Sequence, residues 1–344
     1  MRTLTLFSGG GLFEAMLKDK LHLVGAVEYD AKIAAVYRQN HGDHIRVASV
    51  CDVDYREYGY VDYIHASPAC KEYSQAKTNG AERGIDIETA QATARAIETL
   101  TPSYVTIENV RGYLDSEAYN IIIGKLRELG YYLDIAIVNA ADWGVPQTRI
   151  RLIVRASRVR RPHALMPTHS KVPTMFTEEW QGWHGAIKDL LSSLPDDTFA
   201  PWQLARMPAT LKETVLAFGL EQTVRDVTLR TANEPAPTVT ANTSRRPSTT
   251  PRALLFNGDN AGRPITIRGD SEPSFTIRAS QGKQAARAYT NGRIVRITPR
   301  CLARFQTVPD DYQLPPSNTL ATTIIGNGVP SLLARQMVLS FIPV

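Results

Sequence analysis

The stretch LFSGGGLFEAML, residues 6–17, carries the reading of the fold. A strand-like run, TLTLF (3–7), enters three consecutive glycines, and the apolar spacing beyond them predicts a helix over 12–18. Glycines at that point let the backbone approach a ligand closely, and a helix amino terminus offers free N–H groups. The next strand-like run, LVGAVE (23–28), ends on Glu28, where a carboxylate can accept bonds from ribose hydroxyls. The spaced G-x-G-x-x-G of dinucleotide sites is absent, which favours another adenosine cofactor over a nicotinamide one.

The same alternation continues to about residue 156. Strands are predicted at 61–66 (VDYIHA), 104–109 (YVTIEN), 131–138 (YYLDIAIV) and 149–154 (RIRLIV), with helices at 31–40, 86–100 and 116–129. A third short strand is expected before CDVD (51–54), which offers Asp52 as a partner for an adenine amino group. Strand–helix alternation implies an α/β fold with an open, mostly parallel sheet, Rossmann-like, and ligands at the carboxyl ends of its strands. From about 157 the text becomes rich in Pro, Thr and Arg, reading as an irregular β-rich module. Helical signals there are limited to 184–191 and 210–220, and they return at 298–306 and 329–341. A weak echo relates 230–241 to 268–279, two strand–turn units rather than a solenoid.

The net charge of +5 is unevenly divided. Residues 151–300 carry 22 Lys+Arg against 12 Asp+Glu, and 18 of those 22 are arginine, the side chain suited to bidentate phosphate and guanine contacts. That concentration favours a polyanion partner. No run of 18 apolar residues exists and Met1 leads straight into a strand, so neither a membrane span nor a signal peptide is expected. Three cysteines without ligand spacing exclude a disulfide framework and a structural zinc, and fit a reducing cytoplasm; no metal is expected.

One of those cysteines is unusually placed. Cys70 follows an S-P-A turn at the end of VDYIHA, where a proline-fixed turn holds a side chain near a surface, beside the glycine turn. Glu108 ends the following strand, and alternation along a strand sends Arg149 and Arg151 to one side. A thiol, a carboxyl and two arginines would then converge, and arginines favour thiolate over thiol. Cys51 and Cys301 have no such company and read as packing residues.

At this point the sequence resembles the DNA (cytosine-5) methyltransferases, nearly end to end. LFSGGG is similar to the family's first cofactor motif and VEYD to the second. SPACKEYS resembles the Pro-Cys motif, ENV (108–110) the glutamate motif and QTRIR (147–151) the Gln-x-Arg-x-Arg motif. Residues 293–312 resemble the segment that organises the recognition domain, and GNGVP (326–330) the last cofactor motif. Three departures stand out: Ala69-Cys70-Lys71 for the usual Pro-Cys-Gln, Cys301 where Glu is usual, and QTVPDDY (306–312) for Gln-Gly-Phe-Pro text.

The resemblance implies a methyl transfer from S-adenosyl-L-methionine to carbon 5 of cytosine in double-stranded DNA. Cys70 would add to carbon 6 of a flipped-out base, Glu108 would hold N3 and the amino edge, and Arg149 and Arg151 would hold the base carbonyl or phosphate. It implies cofactor contacts from Phe7, Ser8, Gly9, Gly11, Leu12, Glu28, Tyr29, Asp52, Val53, Pro68, Asn327 and Val329. For DNA it implies Ser74 and Gln75, and the basic text adds Arg230, Arg245, Arg246, Arg268 and Arg278. Residues 1–192 with 318–344 are expected to form the catalytic and cofactor-binding domain, and 193–317 a smaller target-recognition domain with its organising hinge. A monomer in a bacterial, phage or archaeal cytoplasm, near the nucleoid, is expected, with room for a companion restriction endonuclease. Two alternatives stay open: cytosine-5 methylation of RNA, and a catalytically silent DNA-binding regulator.

Overall fold

The computed structural model describes residues 1–69, 84–197 and 295–341, and only the backbone of the strands at 215–217, 268–269, 287–290 and 293–294. Cys70, Ser74, Gln75, Arg230, Arg245, Arg246 and Arg278 lie outside the described residues, as does the side chain of Arg268. By backbone proximity the chain falls into two units. The first comprises Met1–Asn139, Ile150–Met166 and Gly328–Val344; the second comprises Ala140–Arg149 and Pro167–Asn327.

The first unit is a seven-stranded sheet with helices. Its strands are β1 (Arg2–Leu6), β2 (His22–Glu28), β3 (Ile45–Val47), β4 (Tyr63–Ala66), β5 (Tyr104–Asn109), β6 (Tyr132–Asn139) and β7 (Ile150–Ser157). They lie in the order β3-β2-β1-β4-β5-β7-β6, parallel except for β7, which runs antiparallel to both β5 and β6. The order reverses between β1 and β4, the place where open α/β sheets form a ligand crevice. The mostly parallel α/β expectation is met. Buried strands such as Thr3–Leu6 and Tyr63–Ala66 contribute a core that continues through Val105, Ile107, Leu152 and Val154. Each such fully buried aliphatic side chain stabilises the fold by about 1.5–3 kcal/mol.

Helices form where the text supplies caps. α1 (Ala31–His41) starts on Asp30, whose carboxylate accepts from the Lys32 and Ile33 amides, and stops at Gly42 at φ +104°. α2 (Gly84–Leu100) buries small side chains on more than one of its sides, among them Ala90, Ala92, Ala94 and Ala96. α3 (Glu117–Glu128) starts on Ser116, which accepts from the Tyr119 amide at 2.9 Å. The outermost strand β6 pairs only with β7 among the described residues and leaves Tyr132, Ile135 and Ile137 exposed. Beside it the fully buried Arg155 holds Asp134 and the His163 carbonyl.

One expected helix is absent. Residues 12–16 form consecutive turns, closed by short bonds such as Leu17 N–H to the Glu14 carbonyl, rather than a helix over 12–18. Leu12, Phe13, Glu14, Ala15 and Leu17 are all buried, so the segment has no solvent face of the kind an amphipathic helix keeps.

The second unit holds a two-stranded parallel ribbon, β8 (His169–Ser170) with β9 (Glu178–Glu179), and the short helix α4 (Trp183–Ile187). A four-stranded antiparallel sheet orders β10 (Val215–Ala217), β11 (Arg268–Gly269), β12 (Arg287–Thr290) and β13 (Arg293–Arg296) as β11-β10-β12-β13. The strand at Val215–Ala217 corrects the helix expected over 210–220; β-branched Val215 pairs with Tyr289 and Gly269 there, and sheet pairing overrides a helical period. α5 (Pro299–Phe305) and α6 (Asn318–Asn327) follow, and α7 (Ser331–Leu339) returns to the first unit. No helix among the described residues is long and apolar enough to cross a membrane.

Candidate active site

In the first unit the register of the parallel strands fixes what meets at the carboxyl edge. Leu6 pairs with Val27 and with Ala66, and Ala66 pairs with Ile107. The next residues, Phe7, Glu28, Ser67 and Glu108, therefore stand side by side along one rim, with neighbouring strands about 4.8 Å apart.

The glycine turn occupies the rim over β1 and β2. Phe7 takes a left-handed φ of 57°, a strained conformation for a non-glycine residue. Ser8 is bound through both backbone and side chain: its amide donates to the Val27 carbonyl, and its hydroxyl accepts from the Val27 amide at 3.1 Å. Gly9, at φ +56°, donates its amide to Glu28 Oε2 at 3.0 Å, and nothing lies within 4 Å of where its Cβ would be. Gly11 differs: a Cβ there would meet the His41 ring at 2.3 Å, so only glycine fits. Glu28, 6% exposed, accepts a second bond from the Asp30 amide at 2.9 Å, and burial pushes its carboxyl above the usual range against those two amides. Leu12 is core, and its carbonyl accepts from Ser331 of α7 at 2.8 Å, which brings the last motif's segment to the turn. Val329 is buried just before that serine. Tyr29 is 70% exposed beside Glu28. Asp52 is exposed at the end of a short 3-10 turn and Val53 is buried next to it.

Over β4 and β5 the rim is built from charge. Glu108, 5% exposed, receives the Arg151 guanidinium, Nε to Oε1 at 2.8 Å, and Arg151 is itself 5% exposed. Asn109 donates its amide to the carbonyl of buried Pro68 at 3.0 Å, fixing the turn two residues before Cys70. Pro68, Glu108 and Arg151 are thus brought together in the first unit. Arg149 belongs to the second unit, lies one residue ahead of β7, and its fully buried guanidinium donates twice to the Gly326 carbonyl at 3.3 Å. Asn327, next to that carbonyl, is exposed at the last position of α6.

Several residues of the rim escaped the sequence reading. His65 sits under it, 3% exposed, stacked on Phe13 with centroids 3.6 Å apart and planes 5° apart. It bonds Thr106 through Nδ1 at 2.8 Å and the Ser67 hydroxyl through Nε2 at 3.2 Å, and burial lowers its pKa to about 3. Glu14 lies buried behind the glycine turn, with the Tyr37 hydroxyl donating at 3.4 Å, and burial raises its pKa to about 7. A polar residue inside an otherwise apolar run was the available signal in both cases. Cys301 is fully buried and its thiol is pushed up by burial, a packing residue as expected, while Cys51 is half-buried.

In the second unit the organising segment is held by arginines. Arg304 binds Asp310 at 2.7 and 2.9 Å and Asp189 at 2.5 Å, and Arg300 donates to the Tyr312 carbonyl at 2.6 Å. Thr307 occupies a left-handed φ of 56° at the position where the family's usual text has glycine.

Known proteins agree with this architecture. The Type II methylase M.HgiDII of Herpetosiphon aurantiacus is 25% identical over 362 aligned positions, covering 96% of this chain and 92% of that one. The Type II methyltransferase M.FnuDI of Fusobacterium nucleatum is 32% identical over 159 positions, 44% of this chain and 45% of its own length. The crystal structure of the S. pombe Dnmt2 methyltransferase superposes with a TM-score of 0.60 at 14% identity, covering 99% of this chain and 98% of that one, a likeness of fold. A family model described as C-5 cytosine-specific DNA methylase matches residues 1–342, and with the glycine turn, the ENV carboxylate and its arginine in place, the chain belongs to that family.

Proposed function

We propose that this chain methylates carbon 5 of cytosine within a specific sequence of double-stranded DNA, using S-adenosyl-L-methionine, through a covalent adduct at Cys70. The observation that carries the proposal is the shared rim. The amides and carboxylate of an adenosine site (Gly9, Glu28) stand in register with a buried Glu108–Arg151 pair and with the tethered turn that leads into Cys70. The open space before Gly9 and the hydrogen-bonding set at Glu28 fit an adenosyl group, and Phe7, Ser8, Gly11, Leu12, Tyr29, Asp52, Val53, Pro68 and Val329 are proposed as its further contacts. Asn327 is proposed as a further cofactor contact. Bound there, the cofactor supplies an electrophilic methyl group.

The chain's own residues do the rest. Carbon 5 of cytosine is a weak nucleophile until the Cys70 thiolate forms a bond to carbon 6 and turns the ring into an enamine. Glu108 binds N3 and the amino edge as charge develops there, and Arg151 keeps the buried carboxylate paired and aimed. Arg149 steadies the segment that precedes β7 from its seat on the Gly326 carbonyl. Loss of the carbon-5 proton and expulsion of the thiolate restore the aromatic ring. The target must leave the duplex stack at a cost of a few kcal/mol, which arginines of 193–317 offset through phosphate contacts. Among these Arg230, Arg245, Arg246, Arg268 and Arg278 are assigned to DNA, with Ser74 and Gln75 beside the nucleophile. Residues 1–192 and 318–344 then serve as the catalytic domain. The setting is the cytoplasm of a bacterial, phage or archaeal cell, alone or beside a restriction endonuclease.

Bisulfite sequencing of DNA from a host lacking cytosine methylation, expressing wild type or Cys70→Ser, tests this. Protection of one short recurrent sequence by wild type and of none by the variant is expected. Uniform conversion in both hosts, or labelled methyl groups appearing in transfer RNA and not in duplex DNA, would overturn it.

A further inference from the structure

At the reversal of strand order, three segments that the proposed function uses meet on one side chain. Phe13 comes from the stretch that follows the glycine turn, Ser67 opens the turn that leads to Cys70, and Thr106 lies two residues before Glu108 on β5. The imidazole of His65 touches all three: stacked on Phe13 at 3.6 Å, 2.8 Å from the Thr106 hydroxyl and 3.2 Å from the Ser67 hydroxyl. Behind it, Tyr63 shares the same Thr106 hydroxyl. Tyr63 and Thr106 are fully buried, so this is a polar chain sealed inside the sheet rather than a solvated surface contact.

Tyr63, Thr106, His65 and Ser67 form one continuous hydrogen-bonded chain. A neutral imidazole serves it with one ring nitrogen as donor and the other as acceptor, and burial lowers the group's pKa to about 3, far below working pH. Close-packed interiors have low compressibility and transmit strain, so a displacement of one member of this cluster is felt by the others.

We propose that His65 is a positioning residue that couples the glycine turn to the nucleophile turn: a ligand settling on the glycine turn fixes Phe13, and His65 transmits that order to Ser67 and the segment ahead of Cys70. The inference rests on the proposed role of Cys70. Its signature is a cofactor-dependent rate of adduct formation that is separable from cofactor affinity.

The test uses the full chain and a duplex carrying tritium at carbon 5 of the cytosine found by bisulfite sequencing. Adduct formation, read as release of that tritium when carbon 5 of the enamine takes a solvent proton and loses its own, is timed with and without S-adenosylhomocysteine, and that ligand's Kd is measured by calorimetry. His65→Phe keeps a flat ring against Phe13 and removes both hydrogen bonds; His65→Asn keeps a hydrogen-bonding side chain and loses the stack. Wild type should form adduct faster with the ligand bound. In His65→Phe the Kd should stay within about twofold while kcat falls about tenfold to a hundredfold with KM for DNA little changed, the cost of a misplaced reacting group. The ligand's acceleration of adduct formation should vanish in that variant, and His65→Asn should restore part of kcat. Wild-type kcat and an unchanged acceleration in His65→Phe would overturn the proposal, as would a parallel loss of Kd, kcat and melting temperature in both variants. Absence of any adduct in wild type would instead sink the role of Cys70 itself, and this inference with it.

Discussion

The carboxyl rim of the sheet is constructed in two different ways along its length. Over β1 and β2 a buried carboxylate, Glu28, is held among the described residues by backbone amides, and burial raises its pKa. Over β4 and β5 the buried carboxylate, Glu108, is held by a guanidinium at 2.8 Å. Amides satisfy a carboxylate without committing it to full charge, which suits sharing hydrogen bonds with the hydroxyls of a neutral sugar. A guanidinium compensates charge in place, which suits a site where charge develops during a reaction. Under the proposed function the two halves of the rim take different parts of one reaction, one holding a nucleoside and the other serving chemistry on a base.

That division predicts separable losses. Glu108→Gln should lower methyl incorporation into duplex DNA by about 10²–10⁴-fold while leaving cofactor affinity intact, since it removes proton and charge contacts and no part of the glycine turn. If cofactor affinity falls with it, the two halves are not independent. Arg151→Ala strands a buried carboxylate and should destabilise the fold by about 3–5 kcal/mol, read from the shift in urea midpoint. Glu28→Ala leaves the Gly9 and Asp30 amides without their acceptor and should weaken S-adenosylhomocysteine binding by about 1.5–3 kcal/mol, measured by calorimetry.

Smaller effects come from residues behind the rim and from the second unit. Glu14 has its folded-state pKa raised from 4.5 to about 7 by burial, so between those values the folded chain holds a proton that the unfolded chain has released. Its contribution to stability therefore falls as pH rises from about 4.5 to about 7 and stays low above. Glu14→Gln cannot ionise and should gain on the order of 1–2 kcal/mol over wild type at pH 8, a gain that vanishes near pH 4.5, followed by thermal melting across pH. Thr307→Gly relieves a β-branched residue of its left-handed backbone and should stabilise the chain by up to about 1 kcal/mol in the same assay.

Much of this was legible in the text because the text states periods. Six strands could be placed, since strands of a buried sheet read as short apolar runs, and α1 to α3 followed from the helical spacing between them, whereas the caps Asp30 and Ser116 emerged only with the structure. The segment over 12–18 misled because its pattern resembles a helix while Leu12, Phe13, Glu14, Ala15 and Leu17 are all buried and form turns. The motif residues Glu28, Glu108 and Arg151 were visible as charges at strand ends. His65 and Asn109 were not, because their roles depend on which strands become neighbours, and strand order is written nowhere in the local sequence. Arg149 shows the complementary case: alternation along a strand placed it beside Arg151, but β7 begins one residue later and Arg149 is held within the second unit on Gly326.

The anchoring of Asp134 by Arg155 bears on how the border strand keeps its register. An eight-residue border strand with exposed isoleucines is the sort of surface that invites foreign ribbons and seeds aggregation. A slip of one residue between β6 and β7 would flip Asp134 to the opposite face and leave the sealed Arg155 charge without its mate, so mispaired forms are penalised from within. The register of this border strand is thus specified by a charge pair as well as by apolar packing.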